Sequence, residues 1–179
     1  MARIFTGRLL AAVIVAISLC GLALGSVLAA PSDLGRAKAA TARFNSETQA
    51  TAAGYGLPPA PAPLHECIAS FVAAEGAMGF HYINGALLDT VVDPAAPEAL
   101  VYAEKANGEL ELVALEYVVF KEPWDAVNDH PPMLFGEMFM EILAPNRYEI
   151  PAFYALHAWI WQDNPAGTFE AFNPDVSCD

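Results

Sequence analysis

Basic residues are scarce in this chain: eight lysines and arginines stand against 21 aspartates and glutamates. A protein so acidic repels nucleic acid and anionic membrane surfaces, which excludes nucleic acid as a partner. Several catalytic signatures are missing as well. No glycine-rich loop is present to cradle a phosphate, and neither His-Glu-x-x-His nor His-x-His occurs. Ser70 has no strand-turn-helix elbow around it, and Ser177 lies at the extreme end, so a serine nucleophile is poorly supported. There is no internal repeat, and the one low-complexity tract is Pro58-Pro59-Ala60-Pro61-Ala62-Pro63.

Cysteine is also scarce, and its distribution depends on the first residues. Arg3 and Arg8 precede an almost wholly apolar run, Leu9 to Leu24, and small residues follow at Ser26-Val27-Leu28-Ala29-Ala30. That order is the order of a secretory signal peptide, with cleavage expected near Ala29. A retained membrane anchor and a lipoprotein through Cys20 are the alternatives; Leu19 is too bulky for the usual lipobox. Cleavage leaves 150 residues with six basic and 21 acidic side chains, a net charge of −15. The mature protein is then secreted or extracytoplasmic, with no stable membrane insertion, and long enough for one domain with a proper core.

Of the three cysteines, Cys20 leaves with the leader, and Cys67 and Cys178 remain. In an oxidising compartment a lone pair most simply forms a disulfide. A pair of metal-binding thiolates is the weaker alternative, because ligands at zinc-site spacing are wanting around both.

Residues 32–53 read as a helix capped by Ser32 or Asp33, with Leu34, Ala37, Thr41, Phe44 and Thr48 along one face. Gly54-Tyr55-Gly56 ends it, and the Pro-Ala tract reads as a semi-rigid linker. The division expected is therefore a signal peptide over 1–29, a dispensable helix and linker over 30–63, and one globular domain over 64–179.

That domain consists of short apolar runs divided by Gly, Pro, Asn and Asp. Residues 79–84, 99–104 and 109–120 read as strands, the last two joined by an Asn107-Gly108 hairpin turn. Residues 134–139 form a short helix or strand, and 153–161 a core strand followed by a pinned C-terminal loop with two Asn-Pro turns. The fold class implied is α+β: a mainly antiparallel, curved or partly closed β-sheet with an N-terminal helix, one or two edge helices and one disulfide.

Several phrases together resemble a family of secreted bacterial proteins of uncharacterised activity. They are Ala42-Arg-Phe with Ala52-Ala-Gly-Tyr55, Gly76-Ala-Met-Gly-Phe-His-Tyr82, Pro97-Glu-Ala-Leu-Val-Tyr102, Val113-Ala-Leu-Glu-Tyr-Val-Val119, and Leu156-His-Ala-Trp-Ile-Trp161 with Asn173-Pro-Asp-Val-Ser-Cys178. The resemblance implies a shared fold and a shared Cys67–Cys178 bridge. It carries no reaction with it.

Three polar residues stand where polarity is costly. His81 and His157 lie inside aromatic apolar runs, and Glu116 stands in Leu112-Val-Ala-Leu-Glu-Tyr-Val-Val119. Strand alternation puts His157, Trp159 and Trp161 on one face, and Leu112, Ala114, Glu116 and Val118 on one face of their own strand. Converging inside a curved sheet, His81, Glu116 and His157 would be a two-histidine, one-carboxylate ligand set for a divalent transition metal such as Zn or Fe, with Glu75 and Glu104 in reserve. The competing reading is a structural polar cluster that holds strands together. Similarly, Tyr82, Tyr102, Tyr117, Trp159 and Trp161 either fill the core or line a small-molecule pocket. His65 and His130 read as surface residues. Two function classes follow: a metal-binding protein or metal-dependent enzyme, and a non-catalytic small-molecule or partner-binding module.

The cysteine count yields the first test. Non-reducing peptide mapping of exported protein is expected to recover Cys67 joined to Cys178. Reduction is expected to lower stability by about 4–5 kcal/mol if loop entropy dominates; two free thiols in the exported protein would refute the pairing.

Overall fold

Alternating apolar residues build a curled antiparallel sheet in the computed structural model, which describes residues 32–178. The leader and its expected cleavage site lie outside the described residues. Within them, no helix is long and apolar enough to cross a membrane. Helix α1 (Asp33–Thr41) and helix α2 (Glu47–Ala52) come first, separated by a 3-10 turn at Ala42–Asn45. The strands are β1 (Ile68–Ala69), β2 (Ala77–Ile83), β3 (Ala99–Glu104), β4 (Leu110–Phe120), β5 (Met133–Leu134), β6 (Glu137–Met138), β7 (Met140–Ile142) and β8 (Phe153–Ala158), with helix α3 (Lys121–Asp125) between β4 and β5. The mixed α+β class expected from the sequence is present, closed by a Cys67–Cys178 disulfide across 111 residues.

Six strands form one sheet in the order β1-β2-β3-β4-β8-β7, each neighbour antiparallel. Strands β5 and β6 make a separate small hairpin. Its turn is Phe135-Gly136, with φ of 57° and 86°, the backbone of a type I′ turn. The sheet curls until its edges are bridged. Arg147, in the loop between β7 and β8, donates from Nη1 to the Ala69 carbonyl of β1 at 2.9 Å, and the Tyr148 hydroxyl reaches the Met78 sulfur at 3.9 Å.

Two irregularities set which residues face inward. Val101 pairs with Ala114, but Tyr102 pairs with Leu112, so Val113 is an extra residue in β4. Leu112 therefore joins the core on the opposite face from Glu116, contrary to strict alternation, while Val113 and Ala114 pack together. In β2, Gly79 has a φ of 111°, and a Cβ there would collide with the Tyr102 carbonyl oxygen. No other residue fits so close to the neighbouring strand.

The larger core lies on the face away from Glu116. Tyr82, Leu100, Tyr102, Leu115, Tyr117 and Leu156 pack there against Ala37, Phe44, Ala50 and Tyr55. The segment expected to be a dispensable appendage thus supplies four of the sixteen buried residues of this core. The reason lies in four tyrosine hydroxyls, each of which needs a partner when buried. Tyr102 donates to the Phe44 carbonyl at 2.6 Å and Tyr82 to Glu47 Oε1 at 2.7 Å. Tyr55 donates to the Pro97 carbonyl and Tyr117 to the Pro94 carbonyl, both at 2.8 Å. Gly56 also bridges to Ile83. All the described residues form one compact unit.

The last strand is shorter than its apolar run. It ends at Ala158, after which Trp159 N–H bonds to the Thr168 carbonyl and Trp161 N–H to the Val113 carbonyl. Trp159 stays beside His157, whereas Trp161 crosses to the helical side, where its Nε1 donates to Thr41. The tail that follows is pinned as expected: Asn173 is fully buried and exchanges two backbone bonds with Ala77.

Removing residues 30–63 is therefore expected to abolish cooperative unfolding, and Phe44→Ala to cost about 3–4 kcal/mol. Thermal denaturation checks both. An unchanged midpoint in the truncated chain would mean that this part of the core is not needed.

Candidate metal site

The His81–Glu116–His157 cluster is assembled by sheet register. Glu116 of β4 lies directly opposite His157 of β8, and the same Glu116 pairs with Ala99 of β3. His81 reaches in from β2, where it pairs with Val101. His81 lies two residues along β2 from the Ile83–Ala99–Glu116 row, so its side chain reaches Glu116 diagonally across β3.

The three side chains converge. His81 Nε2 stands 3.4 Å from Glu116 Oε2 and 3.3 Å from His157 Nε2, and His157 Nε2 stands 3.8 Å from Glu116 Oε1. The imidazoles meet edge to face at 89°. Both histidines are buried, while Glu116 keeps 13 % of its side chain exposed. Among the described residues this is the one group of three ligand-type side chains whose donor atoms lie within 4.8 Å of one another, and it can hold a metal ion.

Burial sets the charge states. It pulls His81 down to about 4, partly offset by the Gly79 backbone, and pulls His157 to about 3 with help from His81. Both imidazoles are therefore neutral at pH 7, with a nitrogen lone pair to offer. Burial pushes Glu116 up to about 8, and the neighbouring Glu98 adds to it. Nδ1 of His81 is buried without a hydrogen bond of good geometry.

The cluster sits between two cavities. One, of about 670 Å³, is lined by His81, Glu116, Glu98, Tyr55, Tyr148 and Phe120 among others. The other, of about 940 Å³, is lined by Glu116 and His157 together with Phe71, Met138, Met140 and Phe172. Glu116 thus faces both. Known protein families, curated proteins and solved structures offer no match to this chain. Its function has to be argued from the chemistry of the site itself.

The reserve ligands stay apart from the cluster. Glu75 is exposed and accepts a hydrogen bond from Ser70 at 2.6 Å, and Glu104 is exposed at the end of β3. Of the five aromatics proposed for a pocket, Tyr82, Tyr102, Tyr117 and Trp161 belong to the core on the far face, and Trp159 packs with Ala77 and Val113. None lines either cavity: the first four lie in the core on the other face, and the Trp159 indole nitrogen donates to the Glu170 carbonyl. His130 is exposed, and His65 is half-buried with Nδ1 at 2.7 Å from the Pro58 carbonyl.

Sequence reading missed Glu98, which is only 2 % exposed. Its Oε2 accepts from Val118 N–H at 2.9 Å, and burial pushes it up to about 8. Its position just before β3, after Pro97, looks like an ordinary strand entry, so nothing in the local pattern marks it.

These shifts make the metal-free protein's stability depend on pH in both directions. The raised Glu98 and Glu116 contribute stability that is full below about 4.5 and is lost as pH rises towards about 8. The lowered His81 and His157 act oppositely, contributing fully above about 6.5 and losing that contribution as pH falls towards 4 and below. Stability is expected to peak between about pH 4.5 and 6.5 and to fall by on the order of 1–2 kcal/mol per carboxyl between pH 6.5 and 8. Urea unfolding across that range checks this, and Glu98→Gln should flatten the alkaline limb.

Proposed function

We propose that this is an exported protein that binds one divalent transition metal, zinc or iron(II), through His81, Glu116 and His157. The observation that carries the reading is the spacing of the donors. Two nitrogens about 2.0–2.1 Å from a tetrahedral zinc ion stand about 3.3–3.4 Å apart. The His81–His157 and His81–Glu116 separations are 3.3 and 3.4 Å, and the His157–Glu116 separation is longer, 3.8 Å. Direct hydrogen bonds between such groups are usually shorter, about 2.7–3.2 Å.

The two cavities support a role beyond structure. Three protein ligands leave coordination positions free, and here a cavity adjoins the cluster on either side of Glu116. Such positions take water or a small molecule, which is the arrangement of metal-dependent enzymes. Export is part of the same proposal. It rests on the expected leader, with cleavage near Ala29, and on a disulfide that an oxidising compartment would maintain.

One observation favours the alternative, a binding module with a structural polar cluster. Metal-bound histidines nearly always donate their second ring nitrogen to a partner, and His81 Nδ1 lacks one of good geometry. Substitution separates the two. Purified, unchelated protein is expected to contain about one zinc or iron per chain by elemental analysis, and His157→Ala to contain none. A chelator should lower the melting temperature of the wild type and leave that of H157A unchanged. No stoichiometric metal, together with a loss of about 1–3 kcal/mol in H157A, would favour the structural cluster.

A further inference from the structure

The 670 Å³ cavity contains a buried carboxyl that metal binding does not use. Glu98 lines this cavity at 2 % exposure and makes no ion pair among the described residues. No lysine or arginine is among the lining residues, whereas Glu98, Glu116 and Glu149 are. A carboxyl buried without a counter-charge is costly to ionise, and a cation placed beside it removes that cost.

The surroundings narrow what that is. The rings of Tyr55 and Tyr148 border the same cavity, and aromatic faces attract a desolvated cation. Most of the remaining wall is hydrocarbon, from residues such as Ile68, Leu88 and Ile150, and takes an apolar body. An anionic ligand would meet three carboxyls and no cation. The volume lies within the range of small-molecule sites, and the protein's strong negative charge draws cations from solution.

We propose that this cavity binds an apolar amine, with its ammonium group on Glu98 against Tyr55 and its hydrocarbon or aromatic body along the cavity wall. His81 and Glu116 of the metal cluster also border this cavity, so the test is made on chelator-treated protein, where only the amine site is read.

Calorimetric titration with three probes that share one body decides the matter: 4-phenylbutylamine, 4-phenylbutan-1-ol and 4-phenylbutanoate. At about pH 9, where Glu98, pushed up to about 8, is ionised and the amine is still protonated, the amine is expected to bind once per chain, about tenfold or more tighter than the alcohol, because its bond to the carboxylate is charge-assisted. The carboxylate is expected to give no binding heat. In Glu98→Gln, which keeps an oxygen for the Val118 N–H, the amine should fall to the affinity of the alcohol. Thermal unfolding verifies that E98Q is folded, and its zinc uptake should match that of the wild type. Equal binding of amine and alcohol, tighter binding of the carboxylate, or full amine affinity in folded E98Q would overturn the proposal. Should E98Q not fold, the wild-type probe series decides alone.

Discussion

Holding one carboxyl and two imidazoles inside a β-sheet is the constraint on which the rest of this structure depends. Each group alone would cost several kcal/mol to bury. Burial lowers that cost by keeping both imidazoles neutral and the carboxyl largely protonated near neutral pH, and grouping turns the three polar ends toward one another rather than toward hydrocarbon. The grouping requires a fixed register, since a slip of one residue would send Glu116 or His157 to the other face. It also requires His81 to reach across β3 from β2 to the Glu116–His157 pair.

Fixing that register is what much of the remaining chain does. The face behind the cluster is filled by tyrosines whose hydroxyls are satisfied by carbonyls and a carboxylate of surrounding segments. Two of those partners, Phe44 and Glu47, lie in the N-terminal helical stretch, so that stretch clamps β2 and β3 from behind. At the other end, Asn173 pairs with Ala77 next to Gly76, where a Cβ would collide with the Asn173 carbonyl. The disulfide then ties the entrance of β1 to the last residues of the tail.

The front of the sheet carries the chemistry. Its edges approach through Arg147 and Tyr148, leaving cavities rather than a packed second layer. Neutral imidazoles, a partly exposed carboxyl and adjoining space suit a metal with open positions. The second carboxyl, Glu98, gives one cavity a polarity that the other lacks: buried anionic potential with aromatic walls and no compensating cation. Metal and amine chemistry would thus occupy neighbouring parts of the same concave face.

Much of this was legible in the chain. The Asn107-Gly108 pair marked the β3–β4 hairpin, although the turn that forms is a three-residue one in which Gly108 N–H bonds back to the Lys105 carbonyl and Gly108 takes the positive φ, 81°. His81, Glu116 and His157 stood out because polar residues in apolar runs are anomalous at the level of local pattern. Other features depended on contacts distant in sequence. Phe44 and Tyr55 read as parts of an appendage because their partners, Tyr102 and Pro97, lie more than forty residues away. Leu112 changed face because of a bulge created by pairing with β3, and β8 stopped at Ala158 because Thr168 and Val113 captured the next amides. Glu98 carried no local mark of burial, and only the closed fold covers it. Local pattern shows which residues are out of place in a strand; only the assembled sheet decides what they face, because burial and register are properties of pairs of segments rather than of either segment alone.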